Sequence, residues 1–116
     1  MKKIIFIGLI LLVFSSCKKK EIYNNAGYTI GKVTFSTSVM SVVTYHYEYK
    51  VENNNYIGKK GGGVGNSDSR MIGRCFLVVY NKSSPKKSDM NFKYPIDTEQ
   101  DFIDMLNDFK TNPPKP

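Results

Sequence analysis

The chain has no tryptophan, a single histidine and only two cysteines among its 116 residues. One histidine and two thiols far apart in sequence fall short of the several ligands that a metal site gathers. Long apolar runs are also missing. The longest, Ile4 to Phe14, has eleven residues; as a helix it would span about 16 Å, against a bilayer core of about 30 Å. A spanning helix is therefore not expected. A phosphate-binding loop is missing too. Five glycines fall between Gly58 and Gly65, but no Gly-Lys-Ser/Thr closes the turn, and "GNSDSR" leads into a strand pattern instead of a helix. This stretch, residues 59–70, reads as a flexible loop. Acids are scarce through most of the chain. Residues 17–93 carry thirteen Lys or Arg against five acids, or +8, whereas residues 94–116 carry two against five, or −3. A basic body with an acidic tail suits contact with anionic surfaces.

The N-terminal segment gives the most specific signal. Lys2 and Lys3 precede the apolar run, Ser15 and Ser16 follow it, and Cys17 stands before Lys18, Lys19 and Lys20. A charged start, an apolar run of this length and small residues at a cut form the pattern of an export signal. The order Phe14-Ser15-Ser16-Cys17 resembles the lipobox of bacterial lipoproteins, with Phe14 where leucine is usual. That resemblance implies cleavage before Cys17, a diacylglyceryl group on its thiol and a stable anchor from several acyl chains. The alternatives are an ordinary secretory signal or a short membrane helix with an incidental cysteine. The resemblance also implies a bacterial envelope location. Lys18 follows the cysteine where an acid would argue for inner-membrane retention, so the outer membrane is favoured. Membrane lipid is then one expected partner, and nucleic acid is not. The three lysines would meet acidic headgroups, each worth up to about 1 kcal/mol, or serve as a solvated spacer.

With Cys17 assigned to lipid, Cys75 has no partner in the chain; its neighbours "GRCFLVVY" suggest a packed strand, and an intermolecular disulfide or a reactive thiol is the alternative. Domain organisation follows: a signal at 1–16, the lipidated cysteine and a polar linker at 17–27, a β domain with a C-terminal helix at 28–110, and a proline-rich tail at 111–116.

Periodicity defines the body. Val43, Tyr45, Tyr47, Tyr49 and Val51 alternate with Thr44, His46, Glu48, Lys50 and Glu52, which puts one apolar and one polar face on a strand. "ENNN" supplies turn residues, and "YIGKK" returns. "YTIGKVTF" suggests an earlier strand. "MIGRCFLVVYN" is apolar on both faces, as in a strand covered on both sides. "KSSPKKSD" reads as a turn and "MNFKY" as a closing strand. After Pro95, Phe102, Met105, Leu106 and Phe109 recur at helical spacing with Ile103 beside them. Thr98 and Asp101 form a capping-box pair. The expectation is a mainly β (α+β) fold: a small antiparallel sheet or half-open barrel, with one amphipathic helix shielding an otherwise bare face. The body, roughly residues 41–90, also resembles small bacterial β domains of unknown function. Tyr47, Tyr49, Val51, Tyr56, Gly58, Gly73, Val78, Tyr80, Asn81, Pro85 and Ser88 carry that likeness, which implies a β fold and no chemistry.

No catalytic set emerges. His46 lies on the polar side of its strand without further ligands. Glu48 and Glu52 share a face about 13 Å apart, wide for two carboxylates acting on one bond. Glu99, Asp101, Asp104 and Asp108 lie along a helix, not on a calcium-binding turn. The chain is expected to need no cofactor and no metal. Its likeliest contact region is the set Lys32, Lys59, Lys60, Arg70, Arg74, Lys82, Lys86 and Lys87. The expected function is a non-enzymatic envelope module that binds a protein. The alternative is a binder of acidic glycan or a small anion through a basic, tyrosine-containing face.

Overall fold

A computed structural model describes residues 19–64 and 69–116. The segment expected to be a signal (1–16), Cys17, Lys18 and residues 65–68 of the glycine-rich stretch lie outside the described residues. Five strands, β1 (Ala26–Val39), β2 (Val42–Val51), β3 (Asn54–Val64), β4 (Cys75–Asn81) and β5 (Ser84–Ile96), form one antiparallel sheet in the order β3-β2-β1-β4-β5. A short helix, α1 (residues 19–24), precedes it, and α2 (Glu99–Phe109) follows.

The sheet is rolled but not closed. In a flat sheet β2 and β5 would stand three strand spacings apart, roughly 14 Å. Here Tyr47 of β2 bonds through its hydroxyl to Ser88 Oγ of β5 at 2.8 Å, and Tyr49 donates to the Pro85 carbonyl at 2.6 Å. The roll follows from an imbalance between partners: β5 runs 13 residues against 7 in β4. The surplus is taken up in register shifts at Phe76/Leu77 and Tyr80/Asn81, and such bulges bend the strand that carries them. Pro85 sits in one of them, where no ladder donor is required.

Rolling creates two cores. Inside it, Val33, Val43, Tyr45, Tyr47, Tyr49, Val51, Phe76, Val78 and Met90 pack together. This is the apolar face expected of β2, and each fully buried side chain of this kind contributes about 1.5–3 kcal/mol. Glycine makes room for the rings. Gly58 pairs across the ladder with Tyr47, and a Cβ there would overlap the phenol ring. Gly27 stands in the same relation to Tyr80. On the outer side, Ile22, Leu77, Val79, Ile96 and Phe109 form the second core, so β4 is covered on both faces as its sequence requires.

α2 covers that outer side. Thr98 Oγ1 accepts from the Asp101 amide at 3.2 Å, and Asp101 Oδ2 accepts from the Thr98 and Asp97 amides, each at 3.0 Å. These backbone donors hold the Asp101 carboxyl below its ordinary value. Phe109 then packs between Tyr28 and Tyr94, with ring centroids 5.1 and 5.4 Å away.

Five segments differ from the sequence expectations. Residues 19–24 are helical and docked where a linker was expected: Ile22 is 2 % exposed, and Tyr23 donates to Asp89 Oδ2 at 2.6 Å. Gly61 to Gly63 belong to β3 instead of a loop, because β2 offers them a ladder as far as Val64. The "KSSPKKSD" turn shrinks to Lys82–Ser83, since Asn81 Oδ1 accepts from both the Ser83 and Ser84 amides and closes it early. The strand expected from Met71 begins only at Cys75, because Ser69–Met71 forms a 3-10 turn and residues 72–74 turn the chain into β4. The tail at 111–116 lies against β5, with Asn91 donating to the Lys115 carbonyl at 2.8 Å.

Candidate functional site

The two helices cover the outer side of β4, β5 and the near part of β1, and leave the outer face of β1–β2–β3 open. A bulge furnishes that face with an aromatic ring. Strict alternation from Val33 would send Phe35 into the interior, but the β1–β2 register shifts between these residues and turns Phe35 outward, 51 % exposed. The Thr34 hydroxyl donates to the His46 carbonyl at 3.2 Å and holds the shift. Phe35 stacks on His46 with ring centroids 4.1 Å apart and planes 10° from parallel. Thr37 Oγ1 lies 3.4 Å from His46 Nε2.

Next to this stack the ladder places Lys59 opposite His46, and Ile57 opposite Glu48, which in turn faces Lys32. Ile57 is 71 % exposed. A shallow groove of about 440 Å³ runs over Ile30, Lys32, Glu48, Lys50, Asn55 and Ile57. At the far end the β1–β2 hairpin turns on Met40 and Ser41, both at positive φ (50° and 65°). Asn or Gly usually supplies such a pair. The outcome is an apolar tip: Met40 is 93 % exposed, with Val39 and Val42 exposed on either side.

The eight basic positions singled out from sequence fall into separate groups. Lys32 and Lys59 lie on the open face. Lys60 is held at the seam of the roll, its ammonium 2.5 Å from Asp89 Oδ1. Arg70 lies in a short 3-10 turn, Ser69–Met71, and the Arg74 guanidinium stands 5.1 Å over the Phe76 ring. Lys82, Lys86 and Lys87 gather at the opposite end of the sheet, where Lys87 pairs with Glu21 at 2.9 Å. None of the eight tyrosines is exposed, and Tyr45, Tyr47 and Tyr49 are core residues. The roll takes those three rings inside, while the other five tyrosines are half-buried and Tyr56 lines the groove on the open face.

Asp89 is the centre of the polar seam. It accepts from Tyr23 and Lys60, while Asn91 Nδ2 donates to Tyr23 Oη at 3.2 Å. Burial, reinforced by the bond to Asp89, pushes the Tyr23 hydroxyl well above its ordinary pKa. It therefore stays a proton donor and ties α1 to β5. No group of three or more His, Cys, Asp or Glu stands together among the described residues, and Cys75 is a half-buried free thiol.

No protein-family model, curated protein or solved structure matches this chain. The geometry alone then indicates where contact can occur. Sequence reasoning put His46 on the polar side of β2 and named Lys32 and Lys59 within a larger basic set, but missed Phe35 and the Met40 tip. "STSVMSVV" carries no glycine or proline to announce a turn, and a bulge leaves no mark in a pattern of period two.

Proposed function

We propose that this protein is a lipid-anchored bacterial envelope lipoprotein, tethered through Cys17, whose β domain binds an envelope protein without catalysing a reaction. The anchor rests on the lipobox-like Phe14-Ser15-Ser16-Cys17 and the lysines after it. The outer membrane, facing the periplasm, is the favoured address, because no acid follows the cysteine. The binding role rests on the uncovered outer face of β1–β3 with its apolar tip. Phe35, Ile57 and Met40 are large apolar side chains left in water although both cores are otherwise filled. Aromatic and methionine side chains ringed by polar groups are enriched where protein surfaces meet. The acidic-glycan alternative has less support, because Tyr45, Tyr47 and Tyr49 are taken into the core and the eight basic residues expected to serve it do not form one face.

Two experiments separate the parts of this proposal. Mass spectrometry of the mature N-terminus should find an acylated Cys17 as the first residue; an unmodified thiol, or another first residue, removes the anchor. Photo-crosslinking from position 40 or 35 in intact membranes should capture one defined protein. Phe35→Ala with Ile57→Lys should abolish that capture, and loss of neither product nor yield would refute the binding face.

A further inference from the structure

The end of the sheet where β1 begins is the basic pole of the molecule. Lys19 and Lys20 of α1 lie there, and the β4–β5 turn brings Lys82, Lys86 and Lys87 to the same place. The juxtaposition is built by bonds: the Lys82 amide donates to the Asn25 carbonyl at 2.9 Å, Asn25 Nδ2 to Ser83 Oγ at 2.9 Å, and Asn81 Nδ2 to the Glu21 carbonyl at 3.1 Å. Lys19, Lys20, Lys82 and Lys86 are exposed. Lys87 takes up Glu21, and Glu52 shares a cleft with Lys82, Tyr80 and Pro85 at the mouth of the roll. Five lysines thus face two glutamates. No ion pair engages Lys82 or Lys86 among the described residues, so their charge does no work inside the fold.

Asp97, Glu99 and Asp101 lie elsewhere, at the start of α2 beyond the other end of β5; the ends of β5 pair with those of the seven-residue β4 and so stand roughly 20 Å apart. The apolar tip at Met40 is also remote, since the 14 residues of β1 reach roughly 43 Å. The charge separation gives the domain an orientation: basic end toward an anionic plane, acidic helix start and apolar tip away from it.

We infer that the Lys19, Lys20, Lys82, Lys86 and Lys87 pole seats directly on an anionic phospholipid surface and stands the β1–β2 hairpin upright, pointing away from the bilayer. The choice of surface rests on the lipid-anchor reading, because α1 follows two residues after Cys17 and leaves little chain for a stalk. The pole would then read lipid phosphate, and the anchor alone would not set the domain's attitude.

The test uses an unacylated chain, residues 17–116 with Cys17→Ser, which retains every described element. It is co-sedimented with vesicles of phosphatidylcholine alone or of phosphatidylcholine with phosphatidylglycerol. Binding should require phosphatidylglycerol and fall as salt rises. Lys82→Glu/Lys86→Glu/Lys87→Glu should lower partitioning by about a hundredfold, and Lys82→Glu/Lys86→Glu, which leaves the Glu21 pair intact, by about tenfold or more. Lys32→Glu/Lys59→Glu on the open face should change it little. Equal binding to neutral vesicles, unaltered binding by the pole variants, or preferential capture by a soluble acidic polysaccharide would overturn the inference. Because the probe carries no acyl group, an unmodified Cys17 in cells would sink the anchor without deciding this experiment.

Discussion

Gly58→Ala is the sharpest probe of the rolled sheet. The methyl group it adds overlaps the Tyr47 ring, which is fully buried and tied through its hydroxyl to Ser88. The ring cannot swing into solvent, so either the strands separate or the Tyr47–Ser88 bond breaks. Overpacking of this sort costs about 1–3 kcal/mol, and a lost hydrogen bond about 1 kcal/mol more. Replacing glycine in a strand returns about 0.5–1 kcal/mol. The net expectation is a loss of about 2–3 kcal/mol, which for a domain this size lowers Tm by roughly 10–20 °C. Gly61 provides the control, since it lies in the same strand with open space where its Cβ would be; Gly61→Ala should be neutral or stabilising by up to about 1 kcal/mol. Urea denaturation of residues 17–116 reads both. Tyr47→Ala combined with Gly58→Ala should erase most of the glycine effect, because the ring that clashes is gone. If Gly58→Ala stayed within about 0.5 kcal/mol of the parent, or Gly61→Ala matched its loss, the account of ring-on-glycine packing would be wrong.

Three further outcomes follow from the same contacts. Burial raises the hydroxyl pKa of Tyr23 and Tyr47 in the folded state; the stability this represents is fully present below the unfolded value near 10 and declines as pH rises beyond it. Urea midpoints between neutral pH and pH 11 should show the decline, and Tyr47→Phe should make it shallower. At the helix start, Thr98→Ala should cost about 1 kcal/mol. Asp101 has a lowered folded pKa, so its contribution is present above the unfolded carboxyl value and lost as pH falls through the folded one; Asp101→Asn should flatten that acid limb in a thermal-melt series. At the seam, Asp89→Ala strands Lys60 and Tyr23 and should cost about 2–4 kcal/mol. Lys87→Ala, at an exposed pair, should stay within about 0.5 kcal/mol by chemical denaturation.

Strands and helix were legible wherever one side chain after another had to choose a face. The Val43-to-Val51 alternation, the two-sided apolar run at Phe76–Val79 and the Thr98–Asp101 cap all depend on local spacing, and each is found where the sequence puts it. What depends on a partner strand was not legible. The docking of Ile22 and Tyr23 depends on Leu77, Val79 and Asp89, more than fifty residues away in sequence. A strand through Gly61–Gly63 depends on the edge that β2 offers. The candidate binding face shows the same division: His46 was placed by alternation, whereas Lys59, read as part of a loop, and Phe35 were not.

By itself, then, the sequence determined an antiparallel β domain with one capped amphipathic helix, an N-terminal apolar run of only eleven residues, and an excess of lysine over acid before the final helix. These follow from composition and from periods of two and 3.6 residues, which act over a few neighbours. Tertiary structure alone decided that the sheet rolls until β2 touches β5, that Phe35 turns to water while Tyr45, Tyr47 and Tyr49 turn away from it, and that lysines sixty residues apart form one pole. The physical reason is that bulges, edge pairing and long-range hydrogen bonds gain their free energy from segments distant in the chain, and no local pattern records which segments will meet.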